Sequence, residues 1–378
     1  MKHLLATLAM NFKLLKVLDL QGAPLDQLHE EVGNLLHLRY LSVKRTKVKI
    51  VPKSIGNLHN LQTLNLKHSL VSVLQIGILS RLHKLRHLIA LSRDNIQRGV
   101  EIHGGIGHLE ELQTLRDVAA NDYEEGVNLV TIKELENLRQ LRNLVIVNIK
   151  RENGKALCTA IKKMKHLETL MVRAMISDEI LNLHSLSSPP ESLQRLYLLG
   201  RLETLPNWIS KLNNLTALSL RWSGLTGTRA IKALQAMPNL IELYVYDGYD
   251  GEQLSFDVRG FQKLEMLSLR SLKVLNSFII EEGGLPMLSW LRIGACPQLK
   301  EVPSDIRNLR KLKSFLIMDM PTEFLARMTP DKGQDYWVVE HIPKVRILWT
   351  DGTNGHKMYT PQEFQDATEH RRVNDESE

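Results

Sequence analysis

Val51-Pro52-Lys53-Ser54-Ile55-Gly56-Asn57-Leu58-His59-Asn60-Leu61-Gln62-Thr63-Leu64-Asn65-Leu66 holds one complete copy of the unit from which this chain is built. Its second half, Leu61-x-x-Leu64-x-Leu66, ends in apolar–polar alternation and reads as a short strand with its leucines on one face. Its first half places Pro52 in the first turn of a helical segment, where a missing N–H is no loss. Ile55, Leu58 and Leu61 then follow three apart and share one face of that segment. The same phrase returns as Leu205-Pro206-x-x-Ile209-x-x-Leu212-x-x-Leu215 and as Val302-Pro303-x-x-Ile306-x-x-Leu309-x-x-Leu312, and Leu28 to Leu38 is a variant with His29 in place of proline. The strand half recurs more widely. It is clean at Leu15, Leu61 and Leu215, and looser from Leu38, Leu85, Leu112, Leu141, Leu167, Leu193, Leu240, Leu264, Leu288 and Leu312. The spacing runs from 22 residues (Leu193 to Leu215) to 29 (Leu112 to Leu141).

A period of 20–29 residues with this pattern is that of the leucine-rich repeat, so the chain is identified as a member of that class. The fold class implied is α/β: a curved, right-handed solenoid with a parallel sheet on its concave face and short helices and loops on its convex face. One repeat cannot fold alone. It buries about five large apolar side chains at roughly 1.5–3 kcal/mol each, while ordering its residues costs on the order of 1–2 kcal/mol apiece. Stacking closes the gap, because each neighbour covers the open leucine face and completes the strand's hydrogen bonds. The expected organisation is a remnant or incomplete repeat over 1–14, a solenoid over 15–320, a closing segment over 321–350 and a polar, disordered tail over 351–378. Val345, Ile347 and Trp349 alternate as a strand shielding the last repeat. Longer connections are expected between Leu91 and Leu112, at Asn121 to Gly126 and at Ser185 to Pro190. With little ahead of Leu15 to cap the stack, an upstream domain or another molecule is expected to cover that end.

Composition narrows the function classes. The 378 residues are 43% hydrophobic and 24% charged, with net charge +7 and a pI near 9.2, a mild excess over so long a chain that does not argue for nucleic acid. Two isolated cysteines, Cys158 and Cys296, cannot supply a disulfide framework and favour a reducing compartment. No apolar run is long enough to span a membrane, and the start from Lys2 to Met10 lacks a clear cleavage site for a signal peptide. No Ser-His-Asp or Cys-His set is recognisable. His83-x-x-x-His87 has helical metal spacing but lies in a turn-to-strand segment, where the two do not share a face. Cys296 sits where the repeat uses Asn or Cys, and reads as a buried turn thiol. No catalysis, cofactor or metal is expected.

Several phrases resemble the repeat region of plant intracellular nucleotide-binding immune receptors of the coiled-coil class. They are Leu38-Arg39-Tyr40-Leu41 through Leu64, Leu85-Arg86-His87-Leu88, Gly105-Ile106-Gly107 before Leu112-Gln113-Thr114-Leu115, and His341-Ile342-Pro343-Lys344-Val345. Such receptors carry a nucleotide-binding switch ahead of the repeats. This chain has no Gly-x-x-x-x-Gly-Lys-[Ser/Thr] loop, and Gly352 to Lys357 does not fit that spacing. The resemblance implies a non-catalytic recognition module in plant immunity, sensing a pathogen effector or a host guardee, or restraining the receptor's own nucleotide-binding domain. It implies a cytoplasmic place, with membrane-peripheral or nuclear sites reached through partners. Two alternatives stay open: a signalling scaffold of the Ras-interacting type and a substrate adaptor.

The repeat register also names a surface. Residues flanking the strand leucines face the concave side, which puts Lys44, Lys67, Arg173, Arg221 and Arg270 in one column with Tyr246. Arg116, Tyr197, Tyr244 and Arg292 fall in the next, and Arg195 and Trp290 in a third. Arg, Tyr and Trp dominate protein interfaces, so this basic, aromatic face is expected to bind a partially acidic protein surface. Ile89, Leu91, Val145, Val147 and Met171 are expected to form an exposed apolar patch in the middle repeats.

Overall fold

A computed structural model describes residue 7 and residues 10–92, 99–120, 132–350 and 355–375. Two compact units are present, Met1–Gly200 and Arg201–Glu378.

In the first unit, a parallel sheet runs β1 (Val17–Asp19), β2 (Tyr40–Ser42), β3 (Thr63–Asn65), β5 (His87–Ile89), β7 (Thr114–Ala119), β8 (Asn143–Ile149), β9 (Thr169–Ala174) and β10 (Arg195–Leu199). A second, two-stranded ladder pairs β4 (Val73–Leu74) with β6 (Glu101–Ile102). In the second unit, β11 (Ala217–Arg221), β12 (Glu242–Tyr246), β14 (Met266–Arg270), β16 (Trp290–Gly294), β17 (Ser314–Met318) and β18 (Lys344–Thr350) are parallel neighbours, and β13 (Gln253–Phe256) pairs with β15 (Ser277–Ile280). Each of the repeats read from the leucines thus has its own strand. The register keeps the leucines aligned, as in Leu41↔Leu64 and Leu243↔Leu267↔Leu291. Those leucines are at most 2% exposed.

The return segments explain the Pro-x-x-Ile phrase. Lys53–Asn57, Ile209–Lys211 and Ser304–Asn308 are 3₁₀ turns. A 3₁₀ helix has three residues per turn, so side chains three apart eclipse. Ile55, Leu58 and Leu61 accordingly stack into the interior, each 0% exposed. Pro52 and Pro303 cap two of these turns. His29 replaces proline in the variant copy by accepting a hydrogen bond from the Glu31 N–H on Nδ1, at 3.3 Å. Adjacent turns lie very close: a Cβ on Gly33 would sit 2.4 Å from the Ser54 carbonyl oxygen, so only glycine fits.

A second recurring device lies just past seven of the strands. Arg45, His68, Trp222, Asp247, Ser271, Ala295 and Asp319 all have φ between 46° and 58°. Each turns the chain off the sheet while its N–H donates to a carbonyl of the next coil, as Trp222 to Tyr246 at 3.0 Å and Asp247 to Arg270 at 2.8 Å. In β7 and β8 the same left-handed residue, Asp117 or Asn148, falls within the strand and produces a bulge in the register. That bulge, with Val100 bridging to Val118, is the source of the irregular middle repeats.

Two expectations need correction. The polar tail is folded where described: β19 (His356–Tyr359) pairs antiparallel with β18, and a helix follows at Pro361–Asp375. Its anchor is Phe364, 1% exposed and edge-on to Trp349 with ring centres 5.6 Å apart. A tail of low mean hydropathy can still order when one aromatic anchor finds a partner ring, and residue counting misses that. The apolar patch is exposed only in part: Ile89, Leu91 and Met171 are half-buried, while Val145 and Val147 are 1% and 0% exposed and pack with Ala119 and Met171. The bulge brings chain over them, for a Cβ on Gly99 would lie 2.5 Å from the Val147 methyl. Ser185 to Pro190 is an irregular connection, as expected. The expected loop at Asn121 to Gly126, and part of that between Leu91 and Leu112, lie outside the described residues.

Candidate recognition surface

The solvent-facing side of each sheet carries the residues that the register names. In the first unit, Arg116, Val145, Met171 and Tyr197 follow one another across adjacent strands, and Arg195 pairs with Thr169. Lys44, Lys67 and Arg173 lie two positions beyond the aligned set of Ser42, Asn65 and Met171. In the second unit Arg221, Tyr246 and Arg270 are direct neighbours, as are Tyr244, Ser268 and Arg292, while Met266 adjoins Trp290. None of the twelve named residues is buried.

The charges differ in character between the units. On the first, Asp117 is 8% exposed, and burial pushes its carboxyl pKa up despite the opposing charges of Arg116, Arg173 and Lys67. Partial burial, then Lys67, Arg45 and Lys44, hold the His68 imidazole below its usual value, so it is neutral near pH 7. On the second, the Arg221 guanidinium lies 4.3 Å from the centre of the Tyr246 ring and 4.4 Å from that of Trp222, and Arg270 approaches Tyr246 from the other strand at 5.2 Å. The Nε atoms of Arg221 and Arg270 are buried without a hydrogen-bond acceptor among the described residues. The ring faces take the place of that acceptor, since an aromatic quadrupole attracts a guanidinium that has lost water.

Sequence reasoning missed Trp222, Lys344 and Arg346. Trp222 was invisible because it follows the strand and returns to the face only through its left-handed backbone. Lys344 and Arg346 were legible in principle: they flank Val345 as the column residues flank each strand leucine, and they pair through Ser314 and Leu316 with Trp290 and Arg292.

Among the described residues no three His, Cys, Asp or Glu side chains gather as metal ligands. Cys158 and Cys296 are both buried, and burial raises both thiols, which keeps them protonated and poorly nucleophilic. No helix among the described residues is long and apolar enough to cross a membrane.

Comparison with known proteins decides the class. Residues 2–321 match the family described as "Leucine-rich repeat region". The chain belongs to the leucine-rich-repeat family. Its fold resembles that of an internalin, InlF, from Listeria monocytogenes (TM-score 0.51, 14% identity, covering 89% of this chain and 82% of that one). The ectodomain of the Arabidopsis receptor kinase HAESA is similar, with a TM-score of 0.50 at 16% identity over 88% of this chain and 50% of that one. At such identities the likeness concerns the leucine-rich-repeat fold alone.

Sequence relatives are more specific. Disease resistance protein RPM1 of Arabidopsis thaliana is 33% identical over 270 residues, 70% of this chain and 28% of that protein. Disease resistance protein RPP8 of the same plant is 26% identical over 357 residues, 90% of this chain and 37% of that protein. This leucine-rich-repeat chain therefore spans about a third of the length of the curated relatives it matches.

Proposed function

We propose that the chain is a non-catalytic recognition module of plant immunity, acting in the cytoplasm, whose sheet faces bind protein: a pathogen effector, a host protein under guard, or the nucleotide-binding domain of a receptor. Its relatives are disease resistance proteins, and its fold family consists typically of interaction modules. The observation that carries the reading is the stack of Arg221, Trp222, Tyr246 and Arg270. It presents the side chains that most often dominate interfaces, held against one another with the Arg221 and Arg270 Nε atoms already out of water, so less entropy remains to be lost on binding. An acidic partner surface is the complement of this face and of Lys44, Lys67, Arg116 and Arg173 on the other unit.

The test is charge reversal of Arg173, Arg221 and Arg270 together. In the source plant, disruption of the gene should change pathogen growth, and the wild-type chain should restore resistance while the triple variant, folded and equally abundant, should not. Full restoration by the variant would sink the assignment of both sheet faces.

A further inference from the structure

The last coils carry a cleft of different design. About 130 Å³ in volume, it lies on the sheet face over β14, β16, β17 and β18, and Met358 of β19 contributes to its lining. Arg292 and Arg346 flank Leu316 across three neighbouring strands, and Trp290 and Lys344 flank Ser314 in the same way. Strands lie about 4.8 Å apart, so each outer pair is separated by roughly 10 Å at the backbone. Trp290 is 49% exposed and Met358 58%, large apolar side chains left in water on opposite sides of the cleft. Three cations line the cleft and no carboxylate does. None of Arg292, Lys344 and Arg346 belongs to an ion pair among the described residues. Arg346 donates to the Val345 carbonyl at 3.3 Å and its charge is felt by Glu363, which caps its own helix by accepting from the Thr360 N–H at 2.7 Å, but the two form no ion pair.

This differs from the Arg221 stack, where ring faces already partner the guanidinium. Here charge and apolar surface are side by side and both are unspent. An anion alone would leave Trp290 and Met358 in water, and an apolar group alone would leave three like charges unneutralised. We propose that this cleft binds an acidic peptide segment carrying one large aliphatic or aromatic side chain. That side chain lies against Trp290 and Met358, and the flanking carboxylates pair with Arg292, Lys344 and Arg346. The pairing of β19 with β18 leaves β18 without a free edge beside the cleft, so the peptide crosses the face of the strands. The inference rests on the reading of the chain as a protein-recognition module and assigns a ligand class to the part of that surface around Trp290 and Arg292.

The probe is an acetylated, fluorescein-labelled heptapeptide with a central leucine between aspartates, followed by anisotropy against the full chain. Saturable binding is expected. R292E/R346E should weaken it about tenfold or more, as should Trp290→Ala, in line with hot-spot truncations and broken charge pairs. Replacing the central leucine by glutamine should weaken it comparably. R292Q/R346Q, milder in its effect on folding, should weaken it in the same direction with an unchanged melting temperature. No saturable binding, or equal binding of the glutamine peptide or of polyglutamate, would overturn the proposal by reducing the cleft to a charged surface. R221E/R270E separates the two readings: it should leave peptide affinity intact, and loss of binding only there would place the peptide on the other stack and defeat the cleft.

Discussion

The guanidinium of Arg221 sits 4.3 Å from the centre of the Tyr246 ring on the adjacent strand. The pair is a direct register neighbour in the sheet, so backbone pairing delivers it without any loop. Flanking rings remove water from the cation and strengthen the attraction. A double-mutant cycle of Arg221→Ala and Tyr246→Ala, read by chemical denaturation, should give a coupling of about 0.5–1 kcal/mol. The corresponding cycle with Arg270, at 5.2 Å, should give less. Additive losses would show that the stack is mere adjacency.

Asp117 makes a pH-dependent prediction. Burial raises its folded pKa above the ordinary carboxylate value near 3.9. Below that ordinary value the carboxyl is protonated in both folded and unfolded chains and costs nothing. As pH rises through the elevated folded value, the native state must bury a charge, and stability is lost. D117N removes that loss. Asparagine suits the left-handed backbone, as Asn148 at φ 60° shows in the next strand. The variant should melt higher than the wild type at pH 7, with the difference vanishing toward pH 3. A difference independent of pH would contradict the account.

Ala295 occupies the left-handed position that other coils fill with Asp, Ser or larger residues, at φ 51°. Its Cβ crowds the following carbonyl oxygen at a cost of roughly 1–2 kcal/mol, and glycine returns part of this in unfolded-chain entropy. Ala295→Gly should therefore stabilise the chain by about 0.5–1 kcal/mol, measured by thermal unfolding. Destabilisation would mean that the Ala295 methyl packs better than its strain costs.

The repeat leucines made the strands and their register legible, because a period-two pattern admits only one face to the interior. Column residues such as Arg221, Tyr246 and Arg270 followed from that register alone. What stayed hidden depended on backbone signs and on single anchors. Asp117 and Asn148 do not announce that their left-handed turn falls inside a strand, and that bulge buried Val145 and Val147. Trp222 does not look like a face residue until the same turn returns it. Met358 lies in a segment whose polarity reads as disorder, and the pairing of β19 with β18 and the packing of Phe364 on Trp349 and Tyr359 make it a wall.

That contact gives the last prediction. Phe364 is 1% exposed, with Trp349 and Tyr359 edge-on at 5.6 and 6.3 Å. Phe364→Ala removes about 3–5 kcal/mol of burial and packing. In a stack of coils each layer contacts only its neighbours, so the loss stays local. Amide exchange in β19 and along its partner β18 should accelerate strongly, while β11 and β12 keep their protection. The freed edge of β18 would then expose unpaired N–H and C=O groups, so the variant should also associate at high concentration. Equal acceleration through β11 and β12 would show that the second unit unfolds as a single block and that the closing hairpin is part of its core.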